Sequence, residues 1–117
     1  MDLKSFSVLN RVEKEFDVLN SLKVKMHTLS VLQQQQALAE LPPSPLGIDT
    51  GLRTVILQQA LLIYAIDEIN GKPVTSQEAK EFVQNLQAPI FNALVNCYDE
   101  LAIEQDKTLE ELKKKVS

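Results

Sequence analysis

The chain has 117 residues, a formal net charge of −4 and a sequence pI near 5.0, a length that builds one hydrophobic core as a rule. An acidic surface speaks against nucleic acid, whose phosphates take up lysine and arginine in exchange for counterions, so no nucleic-acid partner is expected. Apolar residues make up 44% of the chain with no tryptophan and 5% aromatics, so the core must be aliphatic.

The first residues, MDLKSFSVLN, lack the basic start, long apolar stretch and small-residue cleavage site of a signal peptide, which predicts a cytoplasmic protein. Residues 1 to 7 are not expected to order. Val8, Val12, Phe16 and Leu19 then share one helical face with Arg11, Glu13, Lys14 and Glu15 outside it. A helix is the preferred reading there, and a pair of short strands the competing one. Leu22 to Thr28, LKVKMHT, alternates apolar and polar with period two, which predicts a short β element near 22–28. One strand is not stable alone, so it needs a partner nearby or on another subunit. His27 falls on its polar face and reads as exposed and uninvolved, with no second imidazole or cysteine at zinc-ligand spacing.

Ser30 and Gln33 form a capping box for a helix to about Leu41, with Val31, Leu32, Leu38 and Leu41 as apolar members and glutamines 33–36 as an exposed face. Pro42-Pro43-Ser44-Pro45-Leu46-Gly47 cannot be helix interior. It is a linker, residues 42–47, between an N-terminal subregion (8–41) and a helical hairpin (50–117) inside a single domain, 1–117.

Asp49 or Thr50 caps the central helix. From Leu52 onward Val55, Ile56, Leu62, Ile63, Ile66 and Ile69 recur at helical steps as one face of a helix that is apolar, and expected to be buried, on two. Leu57, Leu61 and Tyr64 form a thinner strip on the opposite side. The apolar run Val55 to Ile66 includes Gln58 and Gln59 and falls short of the roughly 20 residues of a membrane span. No membrane partner is expected. Asn70, Gly71 and Pro73 end this helix as a hinge, because Asn and Gly accept the left-handed conformation and Pro blocks resumption. Thr75 and Glu78 then cap the next helix.

A stripe of Ala79, Phe82, Val83, Leu86, Ile90, Ala93, Leu94, Cys97, Tyr98 and Leu101 follows, widened by Phe91, Val95 and Ala102. Pro89 lies inside it and must kink or split the helix. Thr108 and Glu111 suggest a third capping box for a short last helix ending in Lys113 to Lys115. The fold class expected is therefore mainly α, a small helical domain built on a hairpin of about 50–69 and 76–104, with a short N-terminal β element near 22–28.

The residues offer little chemistry. Cys97 is the single cysteine and sits on the apolar stripe, which favours a packed thiol, rules out a disulfide within the chain and suggests a reducing compartment. Gly71 and Gly51 are explained by turns and caps, and three glycines cannot build a phosphate-cradling loop. Asp67-Glu68 and Asp99-Glu100 are adjacent pairs, which read as solvated helix surface. No catalytic residue, metal site or cofactor is assigned. What stands out is surplus apolar surface. Leu57, Leu61, Tyr64, Phe91 and Val95 are the candidate interface for a second copy or a partner helix, unless the N-terminal segments cover them.

VKMHTLSVLQQQ (Val24 to Gln35), a loop to Asp49–Arg53, and an apolar helix ending in IDEINGKPV (Ile66 to Val74) resemble the tail assembly chaperones of long-tailed bacteriophages. The resemblance covers roughly Leu22 to Leu112. It implies a mostly helical, non-enzymatic protein of the host cytoplasm that forms a homo-oligomer. Such a protein coats an apolar helical tape-measure protein until tail-tube protein subunits replace it. It also implies a frameshifted longer form, for which an A-rich codon run at Lys113 to Lys115 would serve; a solvated basic helix end is the plainer account. The alternatives are a minor structural subunit of a phage tail or baseplate, or a generic helical protein-interaction module. A helical regulator or antitoxin would need a basic DNA-reading helix, and none is visible.

Overall fold

The computed structural model of the protein describes residues 9–41 and 50–116. The Pro-rich linker 42–47, the cap candidate Asp49 and residues 1 to 7 lie outside them. The elements run β1 (Glu13–Leu19), β2 (Leu22–His27), α1 (Val31–Ala39), α2 (Thr50–Ala65), β3 (Ile66–Ile69), β4 (Lys72–Pro73), α3 (Ser76–Gln84) and α4 (Ala88–Val116). The architecture is mixed α/β, which corrects the mainly α expectation: four antiparallel strands, ordered β1-β2-β3-β4, carry the helices.

Two segments account for the difference. Glu13–Leu19 is a strand, not a helix, because the alternating strand beside it needs a partner and takes β1 across the tight Asn20-Ser21 turn. Its register sets Phe16 against Val24 and Lys14 against Met26. The central helix, expected to reach Ile69, ends at Ala65. Its last four residues form β3, with Val24 opposite Ile69 and Lys25 opposite Glu68. Asp67 is the extra residue of a bulge there, since Met26 pairs with Ile66. Asn70 and Gly71 are left-handed as expected, at φ 51° and 80°, but they close a β-hairpin instead of a helix. Positive φ at both central positions is what the tightest hairpin turn requires.

Local signals elsewhere hold. Ser30 and Thr75 accept hydrogen bonds from the backbone N–H of Gln33 and Glu78, and both capping boxes are complete. Pro89 does split the C-terminal stripe. α3 ends with the Asn85 cap, and α4 starts at Ala88, which puts the proline in a first turn where its missing N–H costs nothing. The third capping box is absent. Thr108 lies inside the continuous α4 and its hydroxyl donates to the Glu104 carbonyl at 2.9 Å.

The core is aliphatic, with Phe16, Val24, Met26, Leu29, Leu62, Ile63, Ile66, Val83, Leu94 and Leu101 buried together. One sheet face supplies Phe16, Val24 and Met26. The other is a charge lattice in which Glu15 faces Lys25 and Asp17 faces Lys23. No helix among the described residues is long and apolar enough to cross a membrane.

Candidate docking groove

His27 is the first residue whose placement departs from the sequence reading. It is 4% exposed, not solvated. Its Nδ1 lies 2.8 Å from Asp67 Oδ2 on the bulge, and its Nε2 lies 3.3 Å from Gln33 Oε1. The same Gln33 oxygen accepts from Ser30 N–H, so one amide both caps α1 and ties it to the sheet. Arg11 bridges Glu13 at 3.0 Å and approaches Asp67 at 3.9 Å, while Lys25 stands between Glu13 and Glu68. Asp67 and Glu68 are thus paired strand residues, not solvated helix surface.

This lattice is structural. Its neighbouring notch, lined by Arg11, Thr28, Ser30, Gln33 and Gln105, holds about 80 Å³, well under a small-molecule pocket. The polar atoms are engaged inside the fold: Thr28 Oγ1 accepts from Val12 N–H, and Gln105 donates to the Asn10 carbonyl. Among the described residues no three His, Cys, Asp or Glu side chains gather as metal ligands. Cys97 is half-buried, and burial pushes its thiol pKa up, with Glu100 adding to this and Lys14 opposing it. A protonated thiol is a poor nucleophile.

The interface candidates are divided by the fold. Leu61, Tyr64, Phe91 and Val95 are all partly buried against the core, and Leu57 is partly buried as well. Leu61 and Val95 meet in a shallow groove of about 70 Å³ between α2 and α4, with Gln58, Leu62, Tyr98 and Asp99. Tyr64 points elsewhere. Its hydroxyl donates to Glu40 of α1 at 3.4 Å, and burial, then the Glu40 charge, raises its pKa. These side chains largely fasten α2 to α4 and α1. The hinge candidates Asn70, Gly71 and Pro73 form the β3–β4 hairpin. Asn70 Oδ1 accepts from Lys23 N–H at 2.8 Å, which ties the turn to β2.

The surplus apolar surface lies on the wider apolar face of α2, one of the two faces that the sequence pattern predicts to be buried. Leu52, Val55, Ile56, Gln59, Ala60 and Ile63 form one continuous helical face. Ala60 and Ile63 are buried, Ile56 and Gln59 half-buried, and Leu52 and Val55 are 55% and 40% exposed. A cavity of about 330 Å³ opens along this face, walled by Glu40 at the end of α1 and by Lys80 and Gln84 of α3. On α1, Val31, Leu32 and Leu38 are exposed as well.

One sequence signal could have located this surface. The helical faces of α3 and α4 that meet water carry Glu and Lys, whereas α1 has no charged residue and α2 has only Arg53. Exposed helix that substitutes glutamine for charge keeps desolvation cheap. Comparison with protein-family models, with curated proteins and with solved structures gives no match for this chain.

Proposed function

We propose that this chain is a non-enzymatic docking protein that holds an apolar helix of a larger partner in the α1–α2–α3 groove. On the resemblance set out above, it is a tail assembly chaperone of a long-tailed bacteriophage. It acts in the host cytoplasm, self-associates, and coats a tape-measure protein until tail-tube subunits displace it. The observation that carries the reading is the apolar, nearly uncharged face of α2, on which Leu52 and Val55 stand exposed and Ile56, Gln59, Ala60 and Ile63 line a cavity of about 330 Å³.

The physics follows from burial. A long apolar helix aggregates through the same removal of surface from water that drives folding, at about 25 cal/mol per Å². A small protein of net charge −4 that covers such a face replaces apolar contact with mutual repulsion between complexes. Many weak contacts along one helix hold collectively and still release one at a time.

Co-expression with the product of a long helical reading frame downstream of its gene tests this. The partner should stay soluble and co-purify, and Leu52→Glu with Val55→Glu should abolish both while circular dichroism is unchanged. A partner equally insoluble with and without this chain, with no complex recovered, overturns the chaperone reading. Recovery of the chain from purified particles by mass spectrometry would then support the virion-subunit reading.

A further inference from the structure

α4 runs from Ala88 to Val116, about 43 Å at 1.5 Å per residue, and its fully buried residues, Leu94 and Leu101, lie in its first half. The core-facing stripe does not stop there. It continues through Gln105, Leu109 and Leu112 at steps of four, four and three, and Leu109 is 37% exposed. Gln105 still touches the sheet end through Asn10. From Leu109 to Val116 the helix runs about 11 Å, close to the length of the α2 stretch that lines the cavity, Ile56 to Ile63.

The charges match too. The groove has Glu40 on one wall and Lys80 on the other. Beside the α4 stripe stand Glu110 and Glu111, then Lys113, so one segment offers an acid for Lys80 and a base for Glu40. Lys113 and Glu110 are already paired at 3.6 Å within the exposed helix, a contact worth little in water and readily exchanged.

We infer that the C-terminal turns of α4 from one copy dock in the α1–α2–α3 groove of the next. The two surfaces lie on different elements, so the contact is heterologous. Each copy keeps one free tail and one free groove, and association propagates into rings or open chains. This rests on the groove being the helix-docking site proposed above, and it makes self-assembly and partner binding competitors for one surface.

Sedimentation velocity over a concentration series tests it with the full chain, Val55→Glu on the exposed α2 face beside the cavity-lining Ile56 and Leu109→Glu in the tail. The wild type should grow in mass with concentration, and each variant should weaken association at least tenfold, roughly what loss of one buried apolar contact costs. An equimolar mixture of the two variants retains one intact groove and one intact tail, so it should form dimers and stop there. A monomeric wild type at high micromolar concentration overturns the inference, as does association of either variant at wild-type strength, or a mixture that stays monomeric. Circular dichroism and thermal unfolding verify the fold, and if either glutamate variant unfolds, Val55→Ser and Leu109→Gln replace them in the same mixing experiment. Leu109→Glu keeps its groove and still co-purifies with the partner helix if the proposed function holds, so the two readings fail separately.

Discussion

Gly71 sits at φ 80°, and a Cβ added there would meet nothing within 4 Å. Any penalty for a side chain is therefore backbone strain alone. Gly71→Val should destabilise by about 1–2 kcal/mol, seen as a lower thermal midpoint, whereas an unchanged midpoint would place the turn in another conformation. Glu78 offers a second test on one residue. Hydrogen bonds from Thr75 N–H, and then from its hydroxyl, hold the Glu78 carboxyl below its ordinary value of 4.5. A lowered folded-state value means that ionisation favours the native state: the contribution is present above 4.5 and fades as pH falls through the folded value. Glu78→Gln keeps an acceptor for the cap, as Gln33 does in α1. Its unfolding midpoint should lie below that of wild type at neutral pH and converge with it in acid. Two parallel curves across that range would remove the carboxylate from the account.

At the scale of elements, β1 is a seven-residue edge strand, and among the described residues no strand pairs with its outer side. Antiparallel pairing with a second β1 centred on Phe16 would set Glu15 of one copy against Asp17 of the other. Like charges directly opposed disfavour that pairing, which is how edge strands commonly avoid aggregation. Replacing both by threonine should leave the hairpin intact and raise light scattering on prolonged incubation; unchanged scattering would mean something else guards the edge. The joint between α1 and the sheet is polar instead of apolar. It runs through His27, between Gln33 and Asp67. His27→Leu removes both hydrogen bonds and leaves the capping amide and the bulge carboxylate to find water. The expected cost is about 1–3 kcal/mol in chemical denaturation, and a neutral result would show that the joint contributes nothing net.

For the whole molecule, the extents are 47 × 41 × 24 Å, a flat body in which α1, α3, α4 and β3 pack around α2 and leave Leu52 and Val55 near its start exposed. That partition predicts opposite outcomes for two residues of one helix. Leu62, 1% exposed, should cost about 2–5 kcal/mol as Leu62→Ala. Val55→Glu should change stability by no more than about 0.5 kcal/mol, because the side chain already meets water. Equal losses at both positions would mean that the groove is closed in solution.

What the sequence determined by itself was local. The capping boxes at Ser30 and Thr75, the left-handed Asn70-Gly71 pair, the break at Pro89 and the strand at Leu22–His27 each depend on residues within a few positions of one another. Short-range hydrogen bonds and steric limits act the same way whatever surrounds them. The tertiary structure decided the rest. Ile66 and Ile69 continue a helical repeat without fault, yet they are strand because Lys23 and Asn70, 47 positions apart, bond across the sheet. β1 was ambiguous for the same reason: its partner, not its own pattern, selects extended backbone. A repeat of three and four shows that a helix has an apolar face but not what covers it. On α2 the fold turned Leu61 and Tyr64 inward and left Leu52 and Val55 in water, because coverage depends on where β2, α3 and α4 end, not on the face itself.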